Sequence, residues 1–235
     1  MATPLDVLEC DRHVLVINKP PGLLSQSDRT GDPDVLSLAR EHIDAAKKDG
    51  GRARLVHRLD RPASGVMVLA RSSNAARNLS RQFREHTIEK RYLALVEGRV
   101  TGIGQCVDYL LKENQQVRVV SADHPEGKRA ELSWQSVAQS GGLSLLQVQL
   151  QTGRPHQIRV QLSERGHPIC GDLRYGATRE LDGQNLALHS FYLAVEHPVE
   201  HVGCSWAAPP PDAWGDVLDD ALRQGIERLL APHQR

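Results

Sequence analysis

Apolar residues along this chain fall into short blocks of two periodicities. HVLVINKPPG (residues 13–22) is an apolar run halted by Pro20, Pro21 and Gly22, which predicts a strand that ends in a turn where Lys19 projects. The period then becomes helical. From Asp34, a good N-cap residue, Val35, Leu38, Ala39, Ile43 and Ala46 recur on one helical face until KKDGG ends the pattern. After a polar loop, HRLDRPASG, the run VMVLA predicts a second strand, and SNAARNLSRQFREH predicts a helix with Ala75, Ala76, Leu79 and Phe83 inward and a basic outer face.

KRYLALVEG reads as another strand, followed by β-like segments at Gln116–Val120, Glu131–Ala138 and Leu143–Gln151, with loops around Gly102–Gly104 and Asp123–Arg129. RPHQIRVQLSERG predicts a helix, with Pro155 near its start and Gly166 in the stop position. NLALHSFYLAVEHP reads as a late strand, and residues 212–231 as a closing amphipathic helix whose Trp214, Val217, Leu218, Leu222, Ile226 and Leu230 pack on its own domain. Runs of strands with interspersed helices, lacking regular βαβ alternation, predict an α+β fold with a central mixed, mainly antiparallel sheet. At 235 residues the chain suits one domain, bilobed at most, with a proper core.

Composition narrows the classes. The longest apolar blocks fall far short of the roughly 18 residues of a membrane span, and MATPLDVLECD lacks the basic start and apolar core of a secretory signal, so a cytoplasmic protein away from membranes is expected. Cys10, Cys106, Cys170 and Cys204 are scattered without a CxxC pair and read as reduced thiols. The formal net charge is +0, yet residues 51–100 carry 11 basic and 4 acidic side chains. Such a localised excess is the footprint expected for a phosphate backbone, although part of it, at Arg71, Arg77, Arg81 and Arg84, fits a solvated helix face.

That basic segment contains a lone acid, Asp60, set between Arg58 and Arg61 with His57 upstream. HRLD superficially matches a kinase catalytic loop, but DFG, VAIK and a suitable Gly-rich loop are missing. HPVEH (197–201) has the form of an inverted zinc-hydrolase motif, but Pro198 after a strand-like run points to a turn, and no metal is expected. A working carboxylate must be ionised and held in place; a neighbouring guanidinium does both, and Arg159 is a candidate for that role. On spacing alone, Asp60 reads equally as a turn residue and Arg159 as half of an ordinary ion pair.

INKPPGLL, HRLDRPASGVMVLA, EKRYLALVEG and GRPHQIRVQLSERGHPICGD, in this order, resemble the motifs of the RluA family of pseudouridine synthases over about residues 13–198. The resemblance implies a pseudouridine synthase fold with a basic active-site cleft, RNA as partner and neither cofactor nor metal. It makes Asp60 the catalytic aspartate, by attack on the ribose or by abstraction of a ribose proton. It places Arg58 in the space vacated by a flipped uridine, Tyr92 on the extruded base and Arg159 beside the aspartate, since a base in folded RNA must leave its stack before the glycosidic bond can be reached. Arg61, Arg154, His156, His57 and Lys19 are further candidate RNA contacts, with Lys19 and His57 having equally good structural readings. Ala63 stands where the family usually has Thr, and Gln161 where His is common; both bear on fine geometry rather than on the reaction.

About a dozen residues precede the first motif, too few for the S4-type RNA-binding domain carried by many relatives. A stand-alone catalytic domain suits a stem-loop of ribosomal or transfer RNA, whose unpaired bases can be splayed out, and nothing requires more than a monomer. The alternative from another class is a catalytically silent RNA-binding protein on the same scaffold; an intact Asp60, Tyr92 and Arg159 set argues against it, because binding phosphates needs no acid.

Overall fold

The computed structural model describes residues 5–45, 52–114, 116–183 and 185–233; Ala46 and the KKDGG stop signal lie outside them. The first stretch forms β1 (Asp6–Cys10), β2 (Val14–Lys19), α1 (Val35–Ala45), β3 (Arg54–Leu55), β4 (Ser64–Ala70) and α2 (Ser73–Glu85). The middle forms β5 (Glu89–Glu97), β6 (Ile103–Glu113), β7 (Gln116–Val120), β8 (Lys128–Ser140), β9 (Leu143–Leu150) and α3 (Gln157–Ser163). The chain ends with β10 (Leu188–Glu196), β11 (Gly203–Ala207) and α4 (Asp220–Leu230). The fold is α+β, with two compact units: Met1–Lys90 with Ser190–Pro210, and Arg91–His189 with Pro211–Arg235.

In the first unit the strand order is β1-β2-β4-β10, with β3 on β4 and β11 on β10. β2 and β4 are antiparallel, and Val14–Ile17 and every residue of β4 are buried. Burial on both faces explains why these strands read as continuous apolar runs rather than as alternations. Val14, Val16, Val66, Val68 and Ala70 form a core with Ala75 and Leu79 of α2 and Leu193, Val195 and Trp206. α2 has the expected apolar face, with Ser72 capping its N-terminus by accepting from the Ala75 N–H. Asp34 caps α1 in the same way, through Ser37 N–H at 3.1 Å. Arg71 departs from expectation: it precedes the helix, is buried, and donates to the Asp11 carbonyl, so it does not belong to a solvated face.

The second unit orders its strands β5-β9-β8-β6-β7, with neighbours antiparallel. β6 is an 11-residue strand that begins where the pattern predicts a loop. Its Gly104 is a packing glycine: a Cβ there would lie 2.2 Å from Cζ2 of Trp134, its register partner on β8. Nor is the closing segment one helix. Asp212–Val217 is a 3₁₀ turn, Leu218 is extended, and the Asp219 carboxylate accepts from Leu222 N–H at 3.1 Å, starting α4 afresh. A side chain that caps a new N-terminus ends the continuity that hydrophobic spacing alone suggests.

Gly65, the second residue of β4, has φ +119°, and a Cβ there would stand 2.4 Å from the Ser190 carbonyl oxygen and 2.5 Å from its nitrogen. Only glycine permits both that φ and that approach of β4 to β10. Gly65→Ala is expected to cost about 3 kcal/mol or to abolish soluble expression, read by urea denaturation of the purified variant.

Candidate active site

The loop that carries Asp60 is clamped from beneath by backbone-directed bonds. Lys19, at the end of β2, pairs in register with Gly65 of β4, so its side chain starts directly under the loop. It is wholly buried, and its Nζ donates to the carbonyls of Pro20 (2.9 Å), Arg61 (3.1 Å) and Ala63 (2.6 Å). Gly22 of the Pro-Pro-Gly turn donates its N–H to the Arg61 carbonyl at 2.9 Å, while Arg61 Nε donates back to the Gly22 carbonyl at 3.1 Å. Ser25 Oγ donates to the Leu59 carbonyl at 2.8 Å and accepts from the Leu59 N–H at 3.2 Å. A turn closes from Ala63 N–H to the Asp60 carbonyl. Residues 59, 61 and 63 are thereby anchored through their backbones, while Arg58 is exposed and Asp60 half-buried.

This changes the reading of two candidates. Lys19 has no accessible surface and directs all three N–H groups to carbonyls, so it positions the loop and does not contact RNA. Burial pulls its ammonium down to about 7, against the opposing pull of the Asp60 carboxylate. His57 accepts the Val68 N–H on Nε2 at 3.0 Å and stacks on Phe83 with ring centroids 4.4 Å apart. Desolvation, then the nearby Lys90 charge, lowers it to about 3, so it is a neutral acceptor that joins the loop to α2. Arg61, besides gripping Gly22, pairs with Asp32 at 2.8 Å in an exposed bridge.

The remaining candidates lie in the second unit. Tyr92 is buried on β5 opposite Val148 of β9. Arg159, buried on α3, donates Nε to Asp172 Oδ2 at 2.7 Å and Nη2 to Asp172 Oδ1 at 2.8 Å, a two-point grip on a carboxylate that is itself buried. Its guanidinium lies 5.0 Å from the ring centroid of Tyr175. The Tyr175 hydroxyl accepts the Val117 N–H at 3.1 Å and meets His156 Nδ1 at 2.7 Å, and its burial raises its pKa. His156 takes a left-handed φ of 51° just before α3. Arg154 is exposed and donates Nε to the Arg129 carbonyl at 2.9 Å. Gln161, fully buried, donates to Asp108 at 2.7 Å and to the Ala130 carbonyl at 3.2 Å, a structural use for the residue at which the chain departs from its resemblance.

Asp172 and Tyr175 are absent from the sequence-derived set, although Asp172 closes the quoted run GHPICGD. A buried arginine needs a counter-charge, but a separation of thirteen residues outside a helix does not reveal which acid supplies it. HPVEH is not a helical pair of metal ligands. His197 Nε2 turns to Asp11 at 3.0 Å, its Nδ1 accepts the Glu200 N–H, and His201 turns to Glu196 at 2.8 Å.

A family model described as RNA pseudouridylate synthase matches residues 13–164. The chain belongs to the RNA pseudouridylate synthase family. This synthase is 37% identical over 217 residues to the uncharacterized RNA pseudouridine synthase YjbO of Bacillus subtilis, covering 92% of this chain and 76% of the relative. It is 32% identical over 252 residues to tRNA pseudouridine synthase C of Yersinia pestis, covering 97% and 94% of the two chains. It is 34% identical over 242 residues to ribosomal large subunit pseudouridine synthase D of the same organism, covering 96% and 73%. The structure of human RNA pseudouridylate synthase domain containing 1 superposes with a TM-score of 0.75 at 24% identity, covering 98% of this chain and 96% of that one, which establishes the shared fold. The synthase is an isomerase that forms pseudouridine in RNA. Among the described residues no helix is long and apolar enough to cross a membrane.

Lys19→Met removes the donor to the Pro20 and Ala63 carbonyls and one of the two donors to the Arg61 carbonyl, and is expected to cost about 3 kcal/mol. The wild type should also gain stability as pH rises from 7 to 9. The native lysine loses its proton near 7 while the unfolded chain keeps it to about 10.5, so the penalty of a buried cation is relieved on the alkaline side. Lys19→Met should lack that increment in paired urea melts at the two pH values. Asp172→Asn removes the charge that grips the buried Arg159 at two points and should cost about 3–5 kcal/mol, measured the same way.

Proposed function

We propose that this synthase acts on uridines in a stem-loop of ribosomal or transfer RNA, with Asp60 as the catalytic carboxylate. The observation that carries the reading is the clamped loop: Lys19, Gly22 and Ser25 hold alternate backbone positions of the segment that carries Asp60 and the exposed Arg58. A carboxylate that works on a sugar must keep its place while the base detaches, and a loop bonded through its backbone holds it there.

In this reading the RNA gives up the stacking of one uridine, at a cost of a few kcal/mol that protein contacts offset, and Arg58 enters the vacated space. Asp60 then acts at the ribose, either by attack on C1′ or by removing a ribose proton. The N1–C1′ bond breaks, the uracil turns, a C5–C1′ bond forms, the C5 proton is lost and N1 ends protonated. Substrate and product have the same atoms and oxidation level, so the chemistry demands no redox partner and is assigned to the protein alone, without metal or cofactor. The family resemblance makes Tyr92 the residue that packs on the extruded base and Arg159 the partner of the catalytic carboxylate. The two-point grip of Asp172 and the Tyr175 ring suit Arg159 to a fixed charge rather than a swinging surface arginine. Arg154 and His156, flanking the start of α3, are assigned to the RNA backbone. The enzyme is taken to act in the cytoplasm as a monomer.

Pseudouridine mapping by carbodiimide labelling of total RNA from cells lacking the protein tests this directly. Wild-type protein should restore at least one missing site and identify the RNA, whereas Asp60→Asn should restore none while still binding RNA. Equal restoration by Asp60→Asn would remove Asp60 from the chemistry; an unchanged set of sites would favour a catalytically silent RNA-binding protein.

A further inference from the structure

The basic outer face of α2 is not used by the chemistry above. Arg77, Arg81 and Arg84 follow at i, i+4 and i+7 along this helix and are all exposed. At 1.5 Å per residue they span about 10 Å of one face. The helix cannot roll to hide them. Ala75 and Leu79 are buried in the core of their unit, Asn78 donates to the Pro198 carbonyl at 2.7 Å, and Gln82 both donates to the Glu196 carbonyl and accepts its N–H, at 2.8 and 2.9 Å. One carboxylate shares the arginine face: Glu85 lies 3.8 Å from Arg81 and 4.0 Å from Arg84. These are loose, exposed pairs that hold little charge in place.

His57, three residues before Asp60, packs on α2. His57 and Phe83 stack at 4.4 Å, and Lys90 lies 5.8 Å over the same Phe83 ring. Exposed Arg58 follows His57 in the chain and exposed Arg84 follows Phe83, so the stacked pair ties the segment of one to the helix of the other. We propose that Arg77, Arg81 and Arg84 form a phosphate track that carries the RNA backbone away from the Asp60 loop along α2. The proposal rests on the functional reading above and extends it to the part of the substrate outside the modified nucleotide. Phosphate contacts of this kind position an RNA without reading its sequence.

Because such binding is largely independent of sequence, a fluorescein-labelled pool of unmodified transfer RNA transcripts serves as the probe, with affinity measured by anisotropy across a salt series. Replacing all three arginines by glutamine, which keeps helix propensity, should make the log–log salt dependence shallower by about 2, at roughly 0.7–0.9 for each phosphate that is no longer neutralised. The triple arginine-to-lysine variant should keep the wild-type slope, since a point charge suffices for a phosphate, and Glu85→Gln should tighten binding at low salt. Thermal melts by circular dichroism confirm that each variant is folded. A wild-type slope in the glutamine variant would overturn the track and leave α2 as a solvated face. Asp60→Asn, measured in parallel, should bind with the wild-type slope. If α2 fails while the mapping experiment still finds a site that depends on Asp60, only the track falls. If the wild-type protein shows no salt-dependent RNA binding and no mapped site, the functional reading falls with it.

Discussion

The buried ammonium of Lys19 is the constraint on which the Asp60 loop depends. Three carbonyls from Pro20, Arg61 and Ala63 converge on the one nitrogen of Lys19. Burial of a lysine is costly and lowers its pKa, and the cost is offset by the bonds it gives the Pro20 and Ala63 carbonyls and shares with Gly22 at the Arg61 carbonyl. The geometry follows from that choice. Backbone atoms at positions 59, 61 and 63 are held by Lys19, Gly22 and Ser25, and the position of Asp60 is fixed with them.

The same logic recurs on a second scaffold. Arg159 is buried, and Asp172 meets it with both oxygens, while the Tyr175 ring covers its flat face and the Tyr175 hydroxyl is tied to Val117 and His156. Each charge in the set has a partner with matched geometry, the condition under which a buried ion pair holds a position. His57 supplies a neutral version of the device: it accepts the Val68 N–H on one nitrogen and stacks its ring on Phe83 of α2.

Much of the scaffold was legible in the chain. β2 and β4 are continuous apolar runs because both faces are covered, and α1 and α2 carry the caps and stripes that their residues announce. The failures have a common cause. β6 carries a glycine as its second residue because the Trp134 ring takes the place of a side chain at Gly104, a fact set by a strand about thirty residues away. The closing helix splits because Asp219 caps locally, a competition between side chain and backbone that hydrophobic spacing does not register.

The order of motifs and the local patterns in the sequence determined the family, the fold class and the identity of the lone acid among arginines, since these depend on residue type and on neighbours a few positions away. Tertiary structure alone decided which charged side chains are working surface and which are internal bolts. Lys19, Arg58, Arg61, Arg71 and Arg159 look alike in a list of basic residues, yet Lys19, Arg71 and Arg159 are buried while Arg58 and Arg61 meet solvent. The reason is physical: a charge is committed by its distance to acceptors and to water, and those acceptors, such as Ala63 for Lys19 and Asp172 for Arg159, come from parts of the chain that no local pattern connects.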